Sequence, residues 1–168
     1  NRTRDNVTGK VDYILSPKNV FTGTYIWNRD ADDRADLMNN FSTAPNVLVS
    51  NKIPLLSVTW RWSPVSTITN ELRGGFNKAP GVFTTSEEFG AAIIAPTLIS
   101  NPANTFRGQG RYTDTYNLQD NANWFKGKHS VSFGFTYQNI HADPFNDAGN
   151  IPTYPMGISA ANTNGLNA

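Results

Sequence analysis

The sequence contains no cysteine and little charge. Without cysteine among its 168 residues, the chain has no disulfide and no thiolate metal site. Charged residues make up 16% of the chain, below the usual quarter, and the formal net charge is +1. Because nucleic-acid binding requires a strongly basic surface, we expect no nucleic acid among the partners of this protein.

Long hydrophobic runs are also missing. The longest apolar stretch, Ala91–Ala95, is far shorter than the ~20 residues of a transmembrane helix. The first residues do not form a signal peptide, and the last ones read as a polar loop. We therefore expect an internal fragment of a longer protein.

Aromatic residues are abundant, at 12% of the chain, while the mean hydropathy is −0.44. In a membrane β-barrel, lumen-facing and loop residues dilute the lipid-facing half of each strand. A low mean hydropathy therefore does not exclude a membrane protein of this kind.

Six segments alternate apolar and polar residues with the period of two that is typical of strands. The predicted strands cover residues 6–15, 20–28, 55–62, 67–77, 111–124 and 129–139. The last segment is the most regular, because Val131, Phe133, Phe135 and Tyr137 share one face and polar residues or glycine occupy the other. The pattern predicts an all-β fold of antiparallel up-and-down hairpins.

Connections of two kinds join the predicted strands. Tight turns lie near residues 16–19, 63–66 and 126–128, and long polar segments at 29–54 and 78–111 join one pair to the next. Loops of this length are uncommon in compact soluble domains. Short turns on one rim and long loops on the other are the pattern of connections typical of an outer-membrane β-barrel.

These lengths predict the domain organisation and the location of the protein. We expect residues 1–140 to form part of a transmembrane β-barrel, about six strands of a larger barrel, and residues 141–168 to begin a further external loop. The prediction places the chain in the bacterial outer membrane, with the membrane lipid as a partner.

Aromatic residues lie toward the ends of the apolar faces. Trp62 and Trp124 are next to tight turns, whereas Trp27 and Tyr137 lie toward the opposite ends of their strands. Because Trp and Tyr prefer the membrane–water interface, we interpret these four as the two membrane rims. A soluble secreted β-sandwich that binds carbohydrate or mediates adhesion is the alternative, with the same rings in its core.

No catalytic constellation is present. Glu87 and Glu88 are adjacent, so on an extended strand they point to opposite faces, and the sequence has no G-x-S-x-G elbow. The two histidines, His129 and His141, have no recognised metal-site spacing. We predict no enzyme activity, no cofactor and no metal site.

Charged side chains form three further groups. Glu71 and Arg73 share the polar face of one strand, as Lys10 and Asp12 do on another, and we interpret both as same-face ion pairs. A contact with a plug domain is the alternative for Glu71 and Arg73. Four acids in the first long loop lack the turn glycine and distal glutamate of an EF-hand, and whether they bind calcium stays open. These acids are Asp30, Asp32, Asp33 and Asp36.

Three segments resemble barrel hairpins of TonB-dependent outer-membrane receptors. They are residues 10–25, residues 70–77 and, as the most specific, residues 117–137. In style they are closest to the large Oar-like receptors, which carry a carboxypeptidase-regulatory-like domain. The resemblance implies a barrel of about 22 strands closed by an N-terminal plug, with solute uptake driven by the TonB–ExbB–ExbD system.

The resemblance also implies where a solute would bind. In a receptor of this family the external loops select the solute, here an iron chelate, a glycan or a peptide. Aromatic residues of the two long loops are the predicted ligand contacts. They are Phe41, Phe83, Phe89 and Phe106.

Overall fold

The structure is a computed structural model that describes residues 1–37, 47–85, 90–91, 93–96 and 106–156. Strands dominate the described residues. In chain order they are β1 (Arg2–Ser16), β2 (Asn19–Asp33), β3 (Val47–Val65), β4 (Ile68–Lys78), β5 (Gly81–Thr85), β6 (Ile93–Pro96), β7 (Gln109–Lys126), β8 (His129–Asn146) and β9 (Thr153–Met156). A 3-10 turn at Ala35–Leu37 follows β2.

One large antiparallel sheet contains the hairpins. The strands follow the order β1-β2-β3-β4-β7-β8, and each neighbour in this order is antiparallel. Apart from the short β5, β6 and β9, strands that follow each other along the chain are thus neighbours in this sheet, as expected for up-and-down hairpins. The predicted fold class is confirmed.

β5 continues β4 as one interrupted strand. Both segments lie between β3 and β7, and both keep the same register with each neighbour. The interruption falls at Ala79 and Pro80, where proline has no N–H to offer the ladder. On this side, β3 therefore has no ladder partner between Val49 and Leu55. In this gap the side-chain oxygen of Asn51 accepts a hydrogen bond from the backbone nitrogen of Val82, at 3.1 Å.

The tight turns lie at one end of the sheet. Ser16 pairs with Asn19 across the first turn, and Lys126 pairs with His129 across the third, where Gly127 has a φ of +61°. The second turn comes later than predicted, because β3 continues through Pro64 to Val65. A shift of register between Trp62 and Val65 accommodates the proline, since a bulge needs no ladder hydrogen bond from it.

Several strands extend beyond their predicted ends at the opposite side of the sheet. β2 runs to Asp33 and β3 begins at Val47, inside the range predicted as the first long loop. β8 likewise continues to Asn146, beyond the predicted boundary at residue 140. These extensions do not alternate regularly between apolar and polar residues, so the backbone pairing continues where the period-two hydropathy pattern has ended.

A second, two-stranded sheet was not predicted. β6 pairs with β9 in parallel, which departs from the antiparallel prediction. The two strands have four residues each and lie far apart in the sequence. Short strands of this kind carry no local pattern that would identify their partner.

Most apolar residues of the large sheet share one face and remain exposed, whereas Ile14, Val20 and Leu55 lie on the opposite face. The register aligns Val58 with Gly23 and Gly74, and each partner is an apolar position of its own strand. Val11 is 69% exposed and Phe133 61% exposed. Within the described part of the chain, the buried hydrophobic residues are Val47, Val49, Val82 and Ala122. An uncovered apolar face of this size suits contact with lipid and does not suit the core of a β-sandwich.

No helix among the described residues has both the length and the apolar character needed to cross a membrane.

Candidate functional site

The polar face of the large sheet is the candidate functional surface, and we call it the inner wall. Because side chains alternate along a strand, residues between the lipid-facing positions point to the opposite side. The register brings these polar positions into rows that cross the sheet. One such row contains Asp12, Thr22, Thr59, Arg73, Gln119 and Thr136.

A three-membered ion cluster lies on the inner wall near the tight turns. Glu71 lies 2.6 Å from Arg73 on its own strand and 2.8 Å from Arg61, its cross-strand partner on β3. Glu71 is the least exposed member, at 20% of its side chain, whereas Arg61 is 63% exposed. The predicted ion pair between Glu71 and Arg73 is confirmed. The cluster carries one positive charge in excess, so it can accept a further anion.

A second ion pair lies on the inner wall of the first hairpin. The ammonium of Lys10 lies 3.1 Å from Asp12, as predicted, and Thr22 donates a hydrogen bond to the same carboxylate at 2.6 Å. Asp12 and Thr22 are cross-strand partners. β1 contributes the ion pair of Lys10 and Asp12, and β2 contributes the hydroxyl of Thr22, to one polar group on the inner wall.

At the far end of the first hairpin, Asp30 joins two arginines. Its carboxylate lies 3.2 Å from Arg2 and 3.0 Å from Arg4, and all three side chains belong to inner-wall positions. Asp32, the cross-strand partner of Arg2, lies on the same face, so this group has two guanidinium groups and two carboxylates. Only the Glu71 cluster, of these two groups, carries more guanidinium groups than carboxylates.

The four acids considered for calcium binding, Asp30, Asp32, Asp33 and Asp36, do not form one group that could hold a metal ion. Asp30 is paired with Arg2 and Arg4, and Asp36 is paired with Arg34. Among the residues that the structure describes, no group of three or more His, Asp or Glu side chains could hold a metal ion. Arginine partners occupy the carboxylates that a calcium ion would need.

The pair of Arg34 and Asp36 leads to a pH prediction. Two hydrogen bonds from Arg34, at 2.7 and 2.6 Å, lower the pKa of the Asp36 carboxyl below its ordinary value of 3.8. Since the folded-state pKa is depressed, the pair stabilises the loop above the unfolded pKa and loses this effect as the pH falls through the folded pKa. Carboxyl-carbon NMR should show Asp36 titrating below the ordinary value. The variant Arg34→Gln should raise the midpoint toward that value, and an unchanged midpoint would contradict the assignment.

A small buried cluster lies at the external end of the wall, and we call it the rim cluster. It consists of Val47, Val49 and Asn51 from β3, Val82 from β5, and Arg107 from the segment before β7. Val47 is fully buried, and Arg107 is 8% exposed with its guanidinium donating to the carbonyl of Phe106 at 3.0 Å. These buried residues lie beyond the apolar band, where β5 pairs with both β3 and β7.

Two of the four predicted ligand contacts lie within the described residues. Phe83 belongs to β5, where it pairs with Val49 and Gln109, and the Arg34 guanidinium lies 5.2 Å from its ring centroid. Phe106 lies three residues before the start of β7 and is half-buried. Phe83 is therefore part of the wall's external end and not of a free loop. Phe41 and Phe89 lie outside the described residues, and the ligand role of all four stays a prediction.

The four predicted rim aromatics lie on the lipid-facing side. Trp62 is two residues from Trp60, which stacks on Phe21 with ring centroids 5.8 Å apart, close to the tight turns. Trp124 also lies close to a turn, with the Lys126 ammonium 5.4 Å from its ring. Trp27 pairs with Val7 and Pro54, and Tyr137 pairs with Leu118, both farther from the turns. The placement agrees with two aromatic belts, and their contact with the membrane interface stays a prediction.

Cross-strand partners are the part of the site that sequence reasoning missed. Arg61 completes the Glu71 cluster, and Arg4 holds Asp30, although each is far from its partner along the chain. On the lipid-facing side, the Asn70 side chain donates to Asp120 at 2.8 Å, which satisfies two polar groups on an apolar face. The strand register would have identified these pairs, but the sequence pattern does not define that register.

Comparison with known proteins identifies the domain type. The sequence model of a family described as outer membrane beta barrel domain matches residues 1–166 of the chain. No curated protein matches the chain. No solved structure matches it either.

Proposed function

Because the chain belongs to the outer membrane beta barrel domain family, as its match over residues 1–166 shows, we propose that it is a wall segment of a TonB-dependent receptor. The protein lies in the bacterial outer membrane. In the proposal, a solute binds at the external end of the wall and then passes through the barrel.

The length of the strands is the observation that carries this proposal. A strand needs about 9–11 residues to cross a bilayer when tilted. β3 has 19 residues, and β7 and β8 have 18 each. All three are therefore long enough to rise beyond the membrane at the end opposite the tight turns, where β3 pairs with β5, β5 with β7 and β7 with β8. A raised, ordered rim supports solute capture outside the membrane.

The charge on the inner wall supports a plugged barrel. Glu71 has two arginine partners, and Arg61 and Arg73 remain more than half exposed. Exposed guanidinium groups can form bidentate bonds with carboxylates of a plug or with an anionic solute. A contact with TonB–ExbB–ExbD would be made through the plug elsewhere in the protein. The proposal includes no enzymatic step and no cofactor.

An energy-coupling experiment tests the proposal. Cells that produce the full-length protein should take up a candidate solute only when the TonB system and the proton gradient are intact. We expect that either deletion of TonB or addition of a protonophore reduces uptake to the level of cells without the protein. The measurement is the accumulation of radiolabelled iron chelates, glycans and peptides, supplied separately.

A conductance measurement distinguishes a plugged barrel from a passive channel. The purified full-length protein in a planar bilayer should show no steady ion current, because a plug closes the lumen. Steady conductance, together with uptake that survives the protonophore, would contradict the proposal and indicate a passive channel.

A further inference from the structure

A polar pair lies inside the apolar band of the lipid-facing side. Asn70 on β4 donates a hydrogen bond to Asp120 on β7 at 2.8 Å, and both residues occupy lipid-facing positions of their strands. The cross-strand partners of Asp120 are Leu72 and Phe135, which are both apolar. Ionisable side chains are rare on surfaces that meet lipid, because hydrocarbon does not solvate them.

The pair lies well below the membrane surface. Asp120 is four residues along β7 from Trp124, the predicted rim aromatic beside the third turn. This separation corresponds to ~14 Å along the strand and ~10 Å along the membrane normal at a tilt of about 45°. The apolar band of an outer-membrane barrel is ~25 Å tall. Asp120 therefore lies at the level of the lipid tails.

The hydrogen bond between the two side chains leaves polar atoms of both unused. A carboxylate has two acceptor oxygens, and a side-chain amide nitrogen has two N–H donors. The bond uses Oδ1 of Asp120, and among the described residues the carboxylate has no ion pair and no second hydrogen bond. The other N–H of Asn70 likewise has no acceptor in the described part of the chain. Unpaired polar atoms cost free energy at this depth, because no water is present to pair with them.

A shallow groove adjoins the polar pair on the same face. Its floor is Ala122, which is 7% exposed, and the more exposed rings of Trp124 and Phe133 stand on either side. The groove has a volume of about 230 Å³, below the ~300–1,000 Å³ of most small-molecule sites. Its size suits a protruding apolar side chain of a neighbouring protein.

We propose that this surface, formed by Asn70, Asp120 and the groove over Ala122, joins two copies of the barrel within the membrane. A two-fold axis along the membrane normal keeps both copies in the same orientation, so each polar pair meets the other at equal depth. The free N–H of Asn70 in one copy donates to the free oxygen of Asp120 in the other, and symmetry forms the reverse bond. The amide groups lie between the two carboxylates and separate their charges.

The depth of the pair favours a second copy over lipid. Lipid tails offer neither donor nor acceptor, and a headgroup would have to leave the membrane surface by ~10 Å to reach Asp120. A second copy presents the missing donor and the missing acceptor at the required level. The proposal rests on the membrane location alone, so it can hold whether or not the protein takes up a solute.

A dimerisation experiment with matched variants tests this inference. The monomer–dimer equilibrium of the full-length protein is measured in lipid vesicles by energy transfer between labelled copies, at increasing lipid dilution. Asp120→Leu should weaken the dimer about tenfold, the effect of losing two interchain hydrogen bonds of ordinary strength in a membrane. Asp120→Asn keeps an acceptor and should retain most of the affinity. Asp114→Leu makes the same change on the same strand and face at the outer edge of the apolar band, where Asp114 pairs with Lys78, and should leave the dimer unchanged.

Cross-linking locates the contact. The chain contains no cysteine, so a single cysteine at a chosen position reports on that position, with the unsubstituted full-length protein as the background. Ala122→Cys lies beside the proposed two-fold axis and should form a dimer with a short bismaleimide. Val11→Cys lies on the same face of the distant strand β1 and should give only the background.

Several results would overturn the proposal. They are a protein that stays monomeric in vesicles, a dimer that Asp120→Leu and Asp114→Leu weaken equally, and cross-links from Val11→Cys alone. A phospholipid or a different membrane protein bound to a monomer at this surface would also overturn it. If Asp120→Leu lowered the free energy of unfolding and left the dimer intact, the pair would serve only to join β4 to β7. Heat-modifiable migration in electrophoresis verifies that each variant is folded.

Discussion

Val58→Arg should prevent stable insertion of the barrel or lower its free energy of unfolding by about 2–4 kcal/mol, the cost of an arginine at the lipid-facing middle of a barrel strand. Val58 lies midway between Pro54 and Trp62 on β3. Its cross-strand partners are Gly23 and Gly74, so no carboxylate lies opposite to neutralise the new charge. The measurement is urea unfolding of the full-length protein in lipid vesicles, followed by tryptophan fluorescence.

Ser57→Arg is the matched control for this change. Ser57 is the preceding residue on the same strand, so its side chain points to the inner wall. Its cross-strand partners are Thr24 and Gly75, so no like charge lies directly opposite. We expect a change of less than about 1 kcal/mol, because a charge in a hydrated lumen keeps its solvation. Equal destabilisation by the two variants would show that the two faces are assigned incorrectly.

Gly75→Ala should lower the free energy of unfolding by about 1–3 kcal/mol, the usual cost of forcing extra volume into a packed site. A methyl group at Gly75 would overlap the backbone oxygen of Leu56 on β3, and it would lie 3.2 Å from the side-chain oxygen of Asn117 on β7. Because the obstacle at Leu56 is backbone, the strands themselves would have to move apart. Urea unfolding of the full-length protein in vesicles measures the loss.

Gly23→Ala makes the same substitution where space is available. A methyl group at Gly23 meets no atom within 4 Å, and this position faces lipid. The control should be neutral or stabilising by up to about 1 kcal/mol, since alanine restricts the unfolded chain more than glycine does. If Gly75→Ala proved as harmless as Gly23→Ala, the close approach of β3 to β4 would not be a constraint on the sheet.

The hairpins were predictable from the sequence because their signal is local. The alternation around Val131 to Tyr137 defines both the strand β8 and its lipid-facing side, and the turn at Lys126–His129 needs only a glycine with positive φ. The same local rule failed at Pro64. The sequence predicts that this proline ends a strand, whereas a bulge lets β3 continue to Val65.

The candidate site was predictable only in part. Glu71 and Arg73 are two residues apart, so a strand periodicity of two places them together. Arg61 lies on another strand, and its contact with Glu71 depends on a register that no short-range pattern encodes. Phe83 was predicted in a loop, yet it belongs to β5, because that short strand is held by pairing with β3 and β7.

The sequence by itself determined that the chain forms β-hairpins with one apolar and one polar face, and that the tight turns share one end. Period-two alternation and turn chemistry act over a few residues, so they can be read without partners. Tertiary structure alone decided how far the strands extend past the apolar band, which arginines meet Glu71 and Asp30, and that Lys52 lies beside an opening in the ladder. Each of these depends on register between distant segments, where backbone pairing continues after the hydropathy pattern has ended.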